Sequence, residues 1–178
     1  QGSATLSGKY FQVDGSIVEP RPLQAGGNPL WIAGGGEKVT LKIAARVAQY
    51  TNFTGTLEEF DHKSTVLRQH CDAIGRPFEQ ITRSSNFNTI VGETAGEAAE
   101  RLDTVIARLT PHVGEARAER IRAEYESSPG YGTIEQVAER LAERQAHGLR
   151  YAIHYFPEMA YDRSGVELFE RSVMRELS

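Results

Sequence analysis

Along most of this chain, short apolar runs alternate with stretches in which apolar positions recur every three or four residues. The first run, residues 30–33, ends at Gly34-Gly35-Gly36. From Glu37 the pattern resumes at Thr40/Leu41, Ile43/Ala44 and Val47/Ala48, which predicts strand, glycine turn and a helix over 37–49. Thr56-Leu-Glu-Glu59 is a capping box: its threonine and glutamate satisfy the free N–H groups at a helix start. The helix that follows places Phe60, Ser64, Leu67, Cys71 and Ile74 on one face and stops at Gly75, with Pro77 beyond. Residues 81–91 read as an unusually polar strand. Thr94-Ala-Gly-Glu97 opens another helix, with Ala98, Leu102, Val105 or Ile106, and Leu109 inward.

Residues 110–131 have the look of a mobile insertion carrying one charged helix, Glu115–Glu126. Thr133-Ile-Glu-Gln136 is a third capping box, followed by the stripe Ile134, Val137, Ala138 and Leu141, with Gly148 as the stop. Residues 149–156 then read as a strand and 166–177 as a terminal amphipathic helix. Upstream, residues 9–19 hold two β-prone runs around Asp14-Gly15, a common hairpin-turn signal, and Pro20-Arg-Pro-Leu-Gln24 reads as extended connector.

The alternation of strand and helix predicts an α/β fold with parallel strands and right-handed crossovers. At 178 residues, length favours an open doubly wound sheet over a closed eight-stranded barrel, which needs about 250 residues. The net charge of −4 and pI near 5.8 exclude an overall basic field for nucleic acid or an anionic membrane. No apolar run approaches the ~18 residues of a membrane span and no signal-peptide pattern is visible, so a soluble, cytoplasmic protein is expected. The single cysteine, Cys71, excludes an internal disulfide and a cysteine-based zinc site, and its position on an apolar helix face makes it a core residue. The chain starts at Gln1 rather than Met, which points to processing, truncation or preceding residues; Gln1-Gly-Ser-Ala4 is left out of the fold reading.

The candidate chemistry starts at the three glycines. A glycine turn feeding a helix leaves backbone N–H groups directed outward at the positive end of the helix dipole, where a phosphate can approach without meeting a β-carbon. A tight strand-to-helix turn needs the same glycines with nothing bound, and the spacing matches neither the dinucleotide fingerprint nor the P-loop.

Three blocks narrow this. Gly8-Lys-Tyr-Phe11, Pro20-Arg-Pro-Leu-Gln24 and Pro29-Leu-Trp-Ile-Ala-Gly-Gly-Gly-Glu-Lys-Val-Thr-Leu-Lys-Ile-Ala-Ala-Arg46 form the first. His70-Cys-Asp-Ala-Ile-Gly-Arg-Pro77 is the second, and Gly132-Thr-Ile-Glu-Gln-Val-Ala-Glu-Arg-Leu141 with Gly148-Leu-Arg-Tyr-Ala-Ile153 the third. In order and over nearly the whole chain, they resemble the luciferase-like monooxygenase family, most closely the subgroup that uses the deazaflavin coenzyme F420, with FMN in sister groups. The resemblance implies the C-terminal half of a (β/α)8 TIM barrel: residues 30–33, 48–53, 81–91 and 149–156 would be its fifth to eighth strands, beside an N-terminal β-hairpin excursion.

This expectation displaces the open sheet and leaves two open edges and an uncovered face, to be closed by an N-terminal half or by a second copy of this chain. By the same resemblance, Gly34, Gly35 and Gly36 with the N–H groups of Glu37 and Lys38 receive the cofactor phosphate. Lys38 or Thr40 adds a donor, and Asn52, Ser84 and His154 lie near the ring. Ser85 and Asn86 share those strands, and for all of these polar residues hydrogen bonding within the barrel is the plainer reading. His154 sits in an alternating run and could face the lumen or the helices. His62, His70, His112 and His147 read as solvated surface.

The implied activity is hydride transfer between F420 or FMN and an organic small-molecule substrate. No metal is implied. The acid/base group of relatives lies mostly on the absent strands, so no catalytic residue is named and the isolated chain is expected to turn over little or not at all. The alternatives are a catalytically silent half-barrel that binds an anion or self-associates, dimers being usual in the family, and a free-standing flavodoxin-like binder. The polar strand 81–91, ill suited to burial on both faces of an open sheet, counts against the last.

Overall fold

The computed structural model describes residues 2–17 and 19–176; Val18 in the expected hairpin and Leu177 in the expected terminal helix lie outside them. The chain divides into two units, residues 1–30 and 31–178. In the first, β1 (Ala4–Ser7) pairs antiparallel with β2 (Gln12–Ser16). The reversal is made at 8–11, where the Gly8 N–H donates to the Phe11 carbonyl at 2.9 Å, and not at Asp14-Gly15. Asp14-Gly15 instead forms a bulge within β2: the register slips between Ala4 and Leu6, Gly15 takes φ +60°, and its N–H donates to Thr5 Oγ1.

The second unit is an α/β layer. β3 (Trp31–Ala33), β4 (Tyr50–Asn52) and β5 (Thr82–Gly92) run parallel in that order. β7 (Tyr151–Tyr155) pairs parallel with residues 84–88 of β5, and β6 (Gly130–Thr133) with residues 89–92. Four of these strands match the expected ones. β6 is an addition that straddles the end of the segment read as an insertion, residues 110–131.

α1 (Thr40–Val47), α2 (Leu57–Asp72), α3 (Ala95–Val113), α4 (Glu115–Glu126) and α5 (Ile134–Ala146) intervene, and α6 (Ser164–Arg171) and α7 (Val173–Glu176) replace the single expected terminal helix. α1 starts three residues later than predicted, because residues 37–39 form a turn. α3 runs through Pro111, and α4 buries Ala118 and Tyr125 in a satellite cluster with Ile90, Leu102, Val105 and Ile106.

The main core lies between the strands and the helices. Leu41, Ala44, Phe53, Phe60, Leu67, Cys71, Phe87, Val91, Val137, Leu141 and Phe169 are all buried there, with the Phe53 and Phe60 rings 5.1 Å apart. Each fully buried large side chain contributes about 1.5–3 kcal/mol. Ile74, expected on the buried face of α2, lies beyond the helix end and is exposed. Arg76 closes the C-terminus of α1, donating to the carbonyls of Ala45 at 3.0 Å and Ala48 at 2.5 Å.

The capping boxes are where the sequence places them. Thr56 accepts from the Glu59 N–H while Glu59 accepts from the Thr56 N–H, and Thr133 and Gln136 do the same. Thr94 makes only the first half of its box, since the Glu97 carboxylate turns to the Glu93 N–H. Thr56→Ala is therefore expected to lower unfolding stability by about 1 kcal/mol, read by urea denaturation.

Candidate functional site

Register decides which residues face the same way. Trp31 pairs with Tyr50 and Tyr50 with Thr82; Ala33 pairs with Asn52, Asn52 with Ser84, and Ser84 with Tyr151. Asn86 and Asn88 follow on β5, opposite Ile153 and Tyr155. These residues form one sheet face, and the core helices cover the other.

Polar groups fill the C-terminal part of that face. Asn52 is buried, and its Nδ2 donates to Ser84 Oγ at 2.9 Å and to Asn86 Oδ1 at 3.0 Å, using both amide hydrogens. Ser84 Oγ passes the bond on to the Thr51 carbonyl at 2.9 Å. The network holds Asn52 and Asn86 in one orientation each. Ser85 belongs to the opposite face, its Oγ donating to the Phe53 carbonyl at 2.7 Å.

The N-terminal part of the face is aromatic. Trp31 stacks on Tyr50 at 4.6 Å, and Tyr151 stands edge-on to Trp31 at 5.0 Å. Trp31 is 40% exposed and Tyr151 47%. Val39, just before α1, with Ile43 and Val47 on it, forms a second exposed apolar stripe at helical spacing, opposite the buried Leu41 and Ala44.

The glycine turn lies at the end of β3. Gly34, at φ +108°, donates its N–H to the Asn52 carbonyl at 2.8 Å, so it extends the sheet and has no hydrogen left for an anion. Among the described residues the N–H groups of Gly35, Gly36, Glu37 and Lys38 make no backbone hydrogen bond. A β-carbon on Gly35 would stand 2.7 Å from Lys63 Cε and 2.9 Å from its Nζ, and one on Gly36 would stand 2.9 Å from Thr40 Oγ1. An ammonium and a hydroxyl thus crowd onto bare backbone, a set of donors suited to phosphate.

Lys63 comes from the second turn of α2 and donates to the Thr54 carbonyl at 3.5 Å. The Glu37 side chain is turned away to His62 Nε2 at 2.9 Å, and its carbonyl to His70 at 2.8 Å. These two histidines anchor the turn. His147 meets Asp61 at 2.7 Å.

His154 lies on the helix side, apart from Asn52 and Ser84. Its Nδ1 is 2.8 Å from Thr89 Oγ1, and its ring packs among Phe87, Phe156 and Phe169. Removal from water disfavours the imidazolium and pulls the pKa down to about 4.

Next to the polar part of the sheet face, a cleft of ≈ 540 Å³ opens between the β4–α2 loop, β5 and the loop after α4. Asn86, Asn88, Tyr155 and Arg144 line it. Neither Lys63 nor Arg144 is marked by any local sequence pattern.

The family described as luciferase-like monooxygenase matches residues 1–151. No curated protein matches the chain. Among solved structures, the coenzyme F420-dependent tetrahydromethanopterin reductase of Methanopyrus kandleri superposes with a TM-score of 0.72 at 13% identity, over 98% of this chain and 58% of that one. Monooxygenase RslO1 from Streptomyces bottropensis gives 0.73 at 14%, over 100% and 57%. The EDTA monooxygenase EmoA of Chelativorans sp. BNC1 gives 0.67 at 20%, over 97% and 51%. The chain therefore spans little more than half the length of these barrel structures, and its parallel sheet with outer helices has the fold class that the resemblance implies.

Proposed function

Because the chain belongs to the luciferase-like monooxygenase family, we propose that it is the phosphate-binding half of an oxidoreductase barrel that acts with coenzyme F420 or FMN on a small organic substrate. The observation that carries this reading is the bare backbone of Gly35 and Gly36 beneath Lys63 and Thr40. The N–H groups of Gly35, Gly36, Glu37 and Lys38, the Thr40 hydroxyl and the Lys63 ammonium would hold the phosphate. Gly34 supplies the turn. Asn52, fixed by Ser84 and Asn86, presents a preorganised polar wall toward the ring. His154, set among phenylalanines, supports that wall from behind and makes no contact with the cofactor.

Bound there, a deazaflavin or flavin supplies hydride transfer. The neighbours' names, an F420-dependent reductase in one case and monooxygenases in two others, frame the choice between the two cofactors.

The open aromatic face and the α1 stripe are surfaces that water penalises, and the first half of the barrel is the cover that fits them best. Alone, the chain has one wall of the site and little or no turnover is expected. Steady-state assay of the purified chain with reduced F420 or FMN tests this, and turnover at the rate of a complete enzyme would overturn the half-barrel reading. The same exposed surface favours one second reading, a silent half-barrel that covers Trp31, Tyr50 and Tyr151 with another copy of itself. A concentration-dependent dimer without cofactor binding, seen by analytical ultracentrifugation, would support it. The expected setting is the cytoplasm; no helix among the described residues is long and apolar enough to cross a membrane.

A further inference from the structure

We propose that the cleft beside Arg144 is a binding site for the carboxylate of a small organic ligand, the substrate of the barrel. Arg144 is only 7% exposed, yet among the described residues it forms no ion pair. Among the described residues its side chain makes one hydrogen bond, from Nη2 to the Gly55 carbonyl at 3.1 Å, and its guanidinium carbon lies 5.6 Å from the Phe87 ring centre. Arg101, whose side chain is more exposed at 15%, is by contrast paired with Glu97 at 2.8 Å and Glu158 at 3.2 Å. Asp61, which could have served Arg144, is held by His147 at 2.7 Å. A guanidinium that gives up its hydration without a counter-charge is costly, and the cost is recovered when a carboxylate accepts two parallel N–H bonds from its planar fork.

The cleft has the volume of a drug-sized ligand, ≈ 540 Å³. Asn86 Oδ1 already accepts from Asn52, so the Asn86 amide hydrogens are directed elsewhere. Asn88, Thr54 and Tyr155 add polar groups to the lining. Glu59 and Glu124 also border the cleft. Glu59 is engaged in its capping box, and the two negative charges favour a ligand with a single carboxylate over a polyanion.

The inference rests on reading these strand ends as a barrel mouth, but its test does not depend on cofactor binding. The intact 178-residue chain is titrated with benzoate, with neutral benzamide and with inorganic phosphate, while the Arg144 Nε–H resonance is followed by NMR. Benzoate should shift that resonance and benzamide should not. Arg144→Met should weaken benzoate binding by about tenfold or more, with a melting temperature equal to or above wild type, because a buried unpaired charge has been removed.

Absence of a benzoate shift in the wild-type chain, equal shifts from benzamide, or a preference of Arg144 for phosphate would each overturn the proposal. So would a lowered melting temperature in Arg144→Met with benzoate binding retained. If benzoate binds at Arg144 but FMN does not bind at Lys63, this site stands and the cofactor reading falls; the opposite pattern does the reverse.

Discussion

Lys63→Ala is expected to erase most of the preference of this chain for FMN over riboflavin. The two flavins differ only in the phosphate, so their affinity ratio isolates the glycine turn. A charge-assisted hydrogen bond contributes about 1.5–3 kcal/mol, which corresponds to a ratio of about 10- to 160-fold. Lys63 brings its ammonium to within 2.9 Å of where a β-carbon on Gly35 would stand. Gly35→Val should have a similar effect by a different route, since its β-carbon would occupy the space of Lys63 Cε, 2.7 Å away. Flavin fluorescence quenching measures all six combinations of protein and ligand. Equal binding of FMN and riboflavin by wild type, or an unchanged ratio in Lys63→Ala, would remove the phosphate site from this turn.

The second large effect concerns acid. His154 is neutral in the folded chain down to a pKa of about 4, whereas an unfolded chain protonates its histidine near 6.5. Between those values the unfolded state binds the extra proton. Stability is therefore fully present above pH 6.5 and is lost as pH falls toward 4, by on the order of 3 kcal/mol. His154→Phe keeps an aromatic ring among Phe87, Phe156 and Phe169 and has nothing to protonate. Urea unfolding at pH 7, 5.5 and 4 should show wild type losing that much more than the variant, and parallel losses would mean that the histidine charges freely in the folded state.

Features whose hydrogen bonds close within a few residues were legible in the sequence. The Thr56/Glu59 and Thr133/Gln136 boxes span three positions and carry their own geometry. Periodicity placed α2 and α5 because packing on one face demands it. Asp14-Gly15 misled, because a positive-φ glycine serves a bulge as well as a turn and the choice depends on the pairing of Thr5 and Gly15. β6 was hidden because Gly130-Tyr-Gly-Thr133 has two glycines in four residues, and only its pairing with residues 89–92 makes it a strand.

The candidate site divides along the same line. Gly34 to Thr40 could be read as a phosphate turn, but the commitment of the Gly34 N–H to Asn52 depends on a neighbouring strand. Lys63 and Arg144 reach their positions through helix packing: Arg144 meets Gly55 across 89 residues of sequence, a distance at which residue type gives no signal. For His154 the alternating run allowed either face, and Phe169 from α6, 4.5 Å away, decides it.

Trp31 is the sole tryptophan of the chain and lies on the uncovered aromatic face. Acrylamide quenching of its fluorescence, at concentrations where the chain is monomeric, reports directly on whether that face is a barrel wall awaiting its other half. An open half-barrel requires red-shifted, readily quenched emission that turns blue and protected once a polypeptide supplying the first four strands is added. Blue, unquenchable emission from the monomer alone would show that the chain covers this face by itself, which contradicts the half-barrel.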